Sequence, residues 1–511
     1  MGQLVPMHVQ EVIPGDKFHI NSKNMVRLAP MVSPAMHRVK VYTSYFFVPN
    51  RILWPNWEKF ITGGETGMDN PAPPIFPDIT FLPGSLPDYM GLPVSPAGTP
   101  DPIKFGTVYG NPVSLLPMAA YALIYYEYYR DQNLQTLMPK PELTDGVNTL
   151  NSWMTTVQFR AWRHDYLTSA LPFAQKGAAV SIPVAGSITG EGSVYLNTNS
   201  ANPMGFTDAA AGGGLPSEDV ISDGAAWLAG GTTGTRGVIE PNDRLSVDGT
   251  DFDLGAISTT INDLRTAYSL QKWLEKNARA GSRYIESLRA HFFTSPTDAR
   301  LQRPEMIGSN VQNVVISEVL QTSSSDAVTP QGNMAGHGIS ASKDGHFSYT
   351  AQEHGFIIGL ISVMPDTAYC DGMPKHFSRQ NRLDYYWPDF ANLGEQAILG
   401  REVCCSARST TPQVFADNTA TFGYIPRYAE YRFQNSLATG GMRPGADYGH
   451  WTLTRKFDPT APPPLNDDFI RCQPSKRIFA VTSPDDNEII CHVFNDVKAR
   501  RSMPKYANPG W

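Results

Sequence analysis

Asp248, Asp251 and Asp253 lie close enough in sequence to share a cation. A calcium loop of the EF-hand type also needs regular alternate ligands, a central glycine at its sharp turn and a closing glutamate. All three features are missing here, so no metal site is expected. His337 and His346 sit among glycines, where an imidazole serves as ligand or base only if other groups converge on it; in polar loops it is usually solvated or hydrogen-bonded. Adjacent Cys404 and Cys405 would point to opposite sides of a strand, which favours ordinary burial over a redox pair. The chain has no phosphate-binding glycine loop, no H-E-x-x-H helix and no G-x-S-x-G elbow. No catalytic, cofactor-binding or metal-ligating residue is therefore assigned.

Cationic residues offer a different chemistry. From Val497 to Trp511 there is no acidic residue, while Lys498, Arg500, Arg501 and Lys505 cluster together. Such a run neutralises phosphate if it faces nucleic acid, and is a solvated tail if it does not. Tyr506 and Trp511 add rings on which unpaired bases stack.

These residues need elements to hold them. Val39 to Val48 alternates Val39, Val41, Thr43, Tyr45 and Phe47 against Lys40, Tyr42, Ser44 and Phe46, the period of a strand. Both faces are partly apolar, as in an inner strand of a sandwich covered on its second face too. Tyr121, Ile124, Tyr125, Tyr128 and Tyr129 fall at helical spacing within a helix expected over Ser114–Asn133, and the stripe reads as packing surface. A second helix is expected from Thr260 to Phe292, bent or interrupted at Gly281. Further strands are expected at Val311–Leu320, Phe356–Met364 and Glu488–Phe494.

Between Pro49 and Pro117 fall 14 of the 42 prolines, so no long regular element runs through that stretch. Its apolar content suits an extended loop laid over a neighbouring surface. Trp54, Trp57, Phe60, Phe76 and Phe81 are its expected anchors on another subunit, because aromatic residues dominate interface hot spots.

Gly177 to Ala256 holds 15 of the 43 glycines, two basic and ten acidic residues, a net charge of −8 against −7 for the whole chain. The acidity thus resides in one insertion, dividing the chain into 1–176, 177–256 and 257–511. Phe206, Trp227, Leu228 and Phe252 give the insertion too little apolar content for a core of its own, so it is expected to order against neighbouring copies. Overall, charged residues make up only 17% of the chain, below the roughly 25% of an average soluble domain, as expected of a surface covered by partners. Five cysteines form no paired C-x-x-C pattern. The first thirty residues lack a signal, and no apolar run approaches the ~20 residues that span a bilayer, so no membrane insertion is expected.

Six blocks in order resemble the major capsid proteins of microviruses, in particular the gokushovirus-like branch. They are SPAMHRVKVYTSYFFVPNRILWPNWEKFITGG (Ser33 to Gly64), AYALIYYEYYRDQNLQ (Ala120 to Gln135) and RHDYLTSALPFAQKG (Arg163 to Gly177). LQKWLEKNARAGSRYIESLRAHF (Leu270 to Phe292), FGYIPRYAEYRF (Phe422 to Phe433) and ARRSMPKYANPG (Ala499 to Gly510) complete the series. The resemblance implies a mainly β fold, an eight-stranded antiparallel viral jelly roll with long loop and helical insertions. It also implies self-assembly of sixty copies into a T=1 icosahedral shell around a circular single-stranded DNA genome, without enzymatic activity. The partners it implies are a small basic DNA-packaging protein, a scaffolding protein during assembly in the host cytoplasm, and a host-cell surface receptor. The insertion is expected to project outward at a three-fold axis. A monomeric carbohydrate-binding or hydrolytic jelly-roll protein is the alternative, since the fold serves many functions.

Overall fold

The computed structural model describes residues 1–135, 140–178, 180, 220–222, 227–230, 236–239, 261–281, 283–320, 322, 334–343, 345–480 and 487–503. It forms two units, 1–178 with 272–511, and 179–271.

The first unit is mainly β, built on two antiparallel sheets. The strands of these two sheets are β1 (Val5–Val12), β2 (Lys17–Leu28), β3 (Val39–Pro49), β4 (Glu305–Asn313), β5 (Val315–Leu320), β6 (Met334–Lys343), β7 (Phe347–Thr350), β8 (Gly355–Pro365) and β9 (Ile489–Arg500). One sheet runs β1-β8-β3-β4; the other places β5-β6 on one edge of β2 and β9 on the other. β6 pairs with Lys23–Arg27 of β2 and β7 with Lys17–Ile20, so these two strands run in tandem along the same edge.

The sheets pack face to face. Val26 and Leu28 of β2 meet Val39, Val41, Ile361 and Val363, and Phe18 and Ile20 meet Tyr45, Phe47 and Ile357. Polar groups also cross the gap: Ser22 bonds the Tyr45 hydroxyl and donates to Asn495 Oδ1 at 2.6 Å, while Asn495 Nδ2 donates to the Met7 carbonyl at 3.1 Å. Satisfied polar groups in a sandwich core fix register, because a slip would leave them buried and unpaired.

β3 is buried on both sides, as its composition requires. Phe46 and Val48 face away from the other sheet into a third layer of Trp54, Phe76, Phe81 and helix α1 (Leu116–Ile124). The expected helix over Ser114–Asn133 is shorter: α1 widens into a π turn over Tyr125–Tyr129 and ends at Arg130, whose backbone is extended. Its tyrosine hydroxyls are tied into the packing, with Tyr121 donating to the Leu4 carbonyl at 2.8 Å and Tyr128 to the Pro304 carbonyl at 2.6 Å.

The long helix is two, α2 (Ile261–Ala280) and α3 (Tyr284–Phe292). Gly281 separates them at φ +98°, backbone that L side chains avoid. The expected single strand Val311–Leu320 is also two, β4 and β5 in different sheets, because the chain crosses the sandwich at buried Val314, whose N–H donates to the Val39 carbonyl at 2.9 Å. Cys404 and Cys405 are not on a strand: Cys404 ends the short helix Gly400–Val403, buried, with its thiol pushed up to about 11 by burial, and Cys405 is exposed.

In the second unit, Val220–Ser222, Trp227–Gly230 and Arg236–Ile239 form an antiparallel sheet with Trp227 opposite Ser222 and Ile239. Among the described residues no helix is long and apolar enough to cross a membrane.

Candidate nucleic-acid interface

β2 alternates strictly. Phe18, Ile20, Ser22, Asn24, Val26 and Leu28 are buried, and Lys17, His19, Lys23, Met25 and Arg27 are exposed on the opposite face. Register with β9 then decides what stands beside them. Lys17 pairs with Arg500, His19 with Lys498, Asn21 with Asp496, Lys23 with Phe494, Met25 with His492 and Arg27 with Ile490. Directly paired residues of antiparallel strands share a face, so one surface collects Lys17, Lys23, Arg27, Lys498 and Arg500, two histidines and one carboxylate.

The pleat spaces same-face residues about 6.8 Å apart along each strand, with the two rows about 4.8 Å apart. Lys17 opposite Arg500 is a like-charge cross-strand pair, which costs stability. None of the five cations makes an ion pair among the described residues. Charges concentrated and left unpaired in this way are relieved by a polyanion. Apolar and ring surfaces lie among them, with Phe494 and Ile490 exposed and His19 stacked on His346 at 5.9 Å.

The two basic residues that sequence singled out in β9, Lys498 and Arg500, are exposed on this face. They belong to a strand rather than a tail. Arg501 is committed elsewhere: its Nε lies 3.2 Å from Oδ2 of fully buried Asp16, and its guanidinium covers Phe18. Lys505, Tyr506 and Trp511 lie outside the described residues. Lys17, Lys23 and Arg27 were missed; the clue was the alternation of β2 itself, KFHINSKNMVRL, with a basic residue or histidine at four of its outward positions.

Three of the five expected subunit anchors, Trp54, Phe76 and Phe81, belong to the chain's own core. Trp54, Phe76 and Phe81 are buried in the chain's own third layer, and Trp57 and Phe60 pack against it. Trp54 also donates from Nε1 to Asp145 at 2.7 Å. Trp54, Phe76 and Phe81 thus have no surface with which to grip a neighbour, while Trp57 and Phe60 stay partly exposed. Of the insertion residues, Trp227 and Leu228 lie on the middle strand of the small sheet, and Phe206 and Phe252 fall outside the described residues. The aspartates Asp248, Asp251 and Asp253 fall outside them too. Among the described residues no group of three or more His, Cys, Asp or Glu could hold a metal.

Comparison with known proteins matches residues 1–511 to the family described as capsid protein (F protein). Capsid protein VP1 of Chlamydia phage 1 is 37% identical, covering 100% of this chain and 93% of the relative. VP1 of Bdellovibrio phage phiMH2K is 35% identical over 99% of this chain and 92% of its own length. VP1 of Spiroplasma virus 4 is 29% identical over 100% of this chain and 92% of its own. The six blocks read from sequence thus lie within a likeness that runs from end to end, and the chain belongs to the capsid protein (F protein) family of bacteriophages, as a structural protein and not an enzyme.

Proposed function

We propose that this chain assembles with itself into a closed T=1 shell of sixty copies around a circular single-stranded DNA, with the β2/β9 face turned toward the genome. The observation that carries this reading is the row of cations, without ion pairs among the described residues, that register brings together on that face. The sandwich serves as a capsid jelly roll: β6 and β7 share one position, so nine strands fill eight places. A small basic packaging protein supplies further neutralising charge, which is why the chain itself is not basic. A scaffolding protein holds the subunits during assembly in the host cytoplasm. The Pro49–Pro117 segment reaches the neighbouring subunit through its outward side chains, Leu82, Val108 and Tyr109, all exposed, in place of the buried aromatic residues. The acidic insertion faces outward, where phosphate repulsion is absent, and three copies meet at a three-fold axis to contact the host receptor.

The test replaces Lys23, Arg27, Lys498 and Arg500 by Gln. Shells should still form, with less DNA per particle. In oligothymidylate binding by the subunit, the slope of log K against log salt should fall by about 3, from about 0.7 per lost cation on a single strand. Normal packaging and an unchanged slope would remove the proposed role of this face.

A further inference from the structure

Away from the basic sheet face, a cavity of about 400 Å³ is lined by Lys375, Arg379, Arg401, Arg427, Glu402 and Glu430, among others. Its carboxylates are already engaged. Glu402 accepts from the Tyr166 hydroxyl at 2.8 Å and the Leu399 N–H at 3.0 Å, and lies 3.7 Å from Lys375. Burial, and then the Glu402 charge, push the Tyr166 hydroxyl pKa well above its ordinary value, so that hydroxyl remains a donor. Glu430 accepts from Arg379 at 3.3 Å and Gln396 at 2.7 Å. Asp384, also on the wall, is exposed and accepts from the Gln380 and Asn381 N–H groups, both at 2.8 Å.

Arg401 and Arg427 are left without an ion pair among the described residues. The Nε atoms of Arg379, Arg401 and Arg427 are all buried without a hydrogen-bond partner, and the Arg379 side chain is only 9% exposed. A buried guanidinium N–H without an acceptor is costly, and three around one cavity call for a shared anion. Tyr431 lies under Arg379 at 4.4 Å and Tyr428 under Arg427 at 5.0 Å. These rings orient the guanidinium planes but accept no conventional hydrogen bond.

We propose that this cavity is a phosphate-binding site, in which Arg379, Arg401 and Arg427 donate to the oxygens of one phosphate group. Planar forked donors suit tetrahedral oxyanions better than a single ammonium does. The group is either free inorganic phosphate or the phosphate of a mononucleotide.

The experiment titrates full-length subunit with inorganic phosphate and with thymidine monophosphate by calorimetry, at constant ionic strength in chloride. Saturable binding of phosphate, weakened at least tenfold in the Arg401→Gln/Arg427→Gln double variant, is the expected result. Thymidine monophosphate competing for the same site identifies the nucleotide source; phosphate binding without competition identifies the free ion. No binding of either probe to wild-type protein, or equal binding by the folded double variant, overturns the proposal. A density map of wild-type particles soaked in tungstate gives a reading that does not depend on any variant folding. Tungstate in the cavity supports the site, and an empty cavity or a neighbouring copy's carboxylate there overturns it.

Discussion

Arg501 is the one cation among the described residues that pairs with the Asp16 carboxylate. Asp16 is fully buried, its Oδ1 has no hydrogen-bond partner, and its Oδ2 accepts only from the Ile13 N–H besides Arg501. Replacing Arg501 by Gln strands a buried carboxylate and should cost about 2–3 kcal/mol, below the 3–5 of a fully buried pair because Arg501 is partly exposed. Urea unfolding of the subunit measures this, whereas Lys498→Gln should leave the midpoint nearly unchanged. That contrast separates two cations three residues apart, which charge pattern alone had grouped. His8 is half-buried against Tyr45, its buried Nε2 has no hydrogen-bond partner among the described residues, and desolvation lowers its pKa below the ordinary 6.5. The folded state therefore holds His8 neutral. Its contribution to stability is complete above the unfolded value, near 6.5, and is lost as pH falls from there through the depressed folded value. His8→Leu should flatten the acid limb of the melting temperature between pH 7 and 5; a limb of unchanged steepness would assign acid sensitivity to other groups.

At the level of elements, Gly281 separates α2 from α3 in a backbone conformation that strains any side chain placed there. A Cβ would lie 2.2 Å from Glu286 Oε2, the oxygen that accepts from the Arg283 N–H at 3.0 Å and from Gln132 at 2.8 Å. Gly281→Ala should cost about 2 kcal/mol through left-handed strain and loss of this cap, seen as a lower denaturation midpoint and faster amide exchange in the first turn of α3. This break was legible in sequence, and so was β3, since ten residues apolar on both faces have few other places to lie. β2 was not, because two of its six inward positions are Ser22 and Asn24, which dilute the alternation. β6 was hidden by its glycines and serines, poor strand formers whose place is set by pairing with β2. The outward row of β2 leaves a trace in local pattern, but its union with the β9 row does not, since the two rows meet only through register. Trp54 and Phe76 misled for a related reason: the rings that anchor an interface are the rings that fill a core.

For the whole molecule, the decisive test falls on the insertion. Replacing Gly177 to Ala256 by a short Gly/Ser linker should leave the sandwich and the shell intact, because loop length changes closure entropy only slowly. Adsorption of the particles to host cells should fall sharply. Adsorption at the normal rate would refute the receptor role, and failure to form shells would assign the segment to assembly. The central strand of the basic face carries a different consequence. β2 is made long before its partner β9; Ser22 and Asn495 are 473 residues apart. At roughly 5–20 residues per second, synthesis leaves one edge of β2 waiting for about 25–90 s. Until then the cations of β9 do not stand beside those of β2, and a chain still on its ribosome offers nucleic acid only half of the charged surface. The distance between two paired strands thus acts as a clock, and the basic face is complete only once β9 has followed β2 off the ribosome and paired with it.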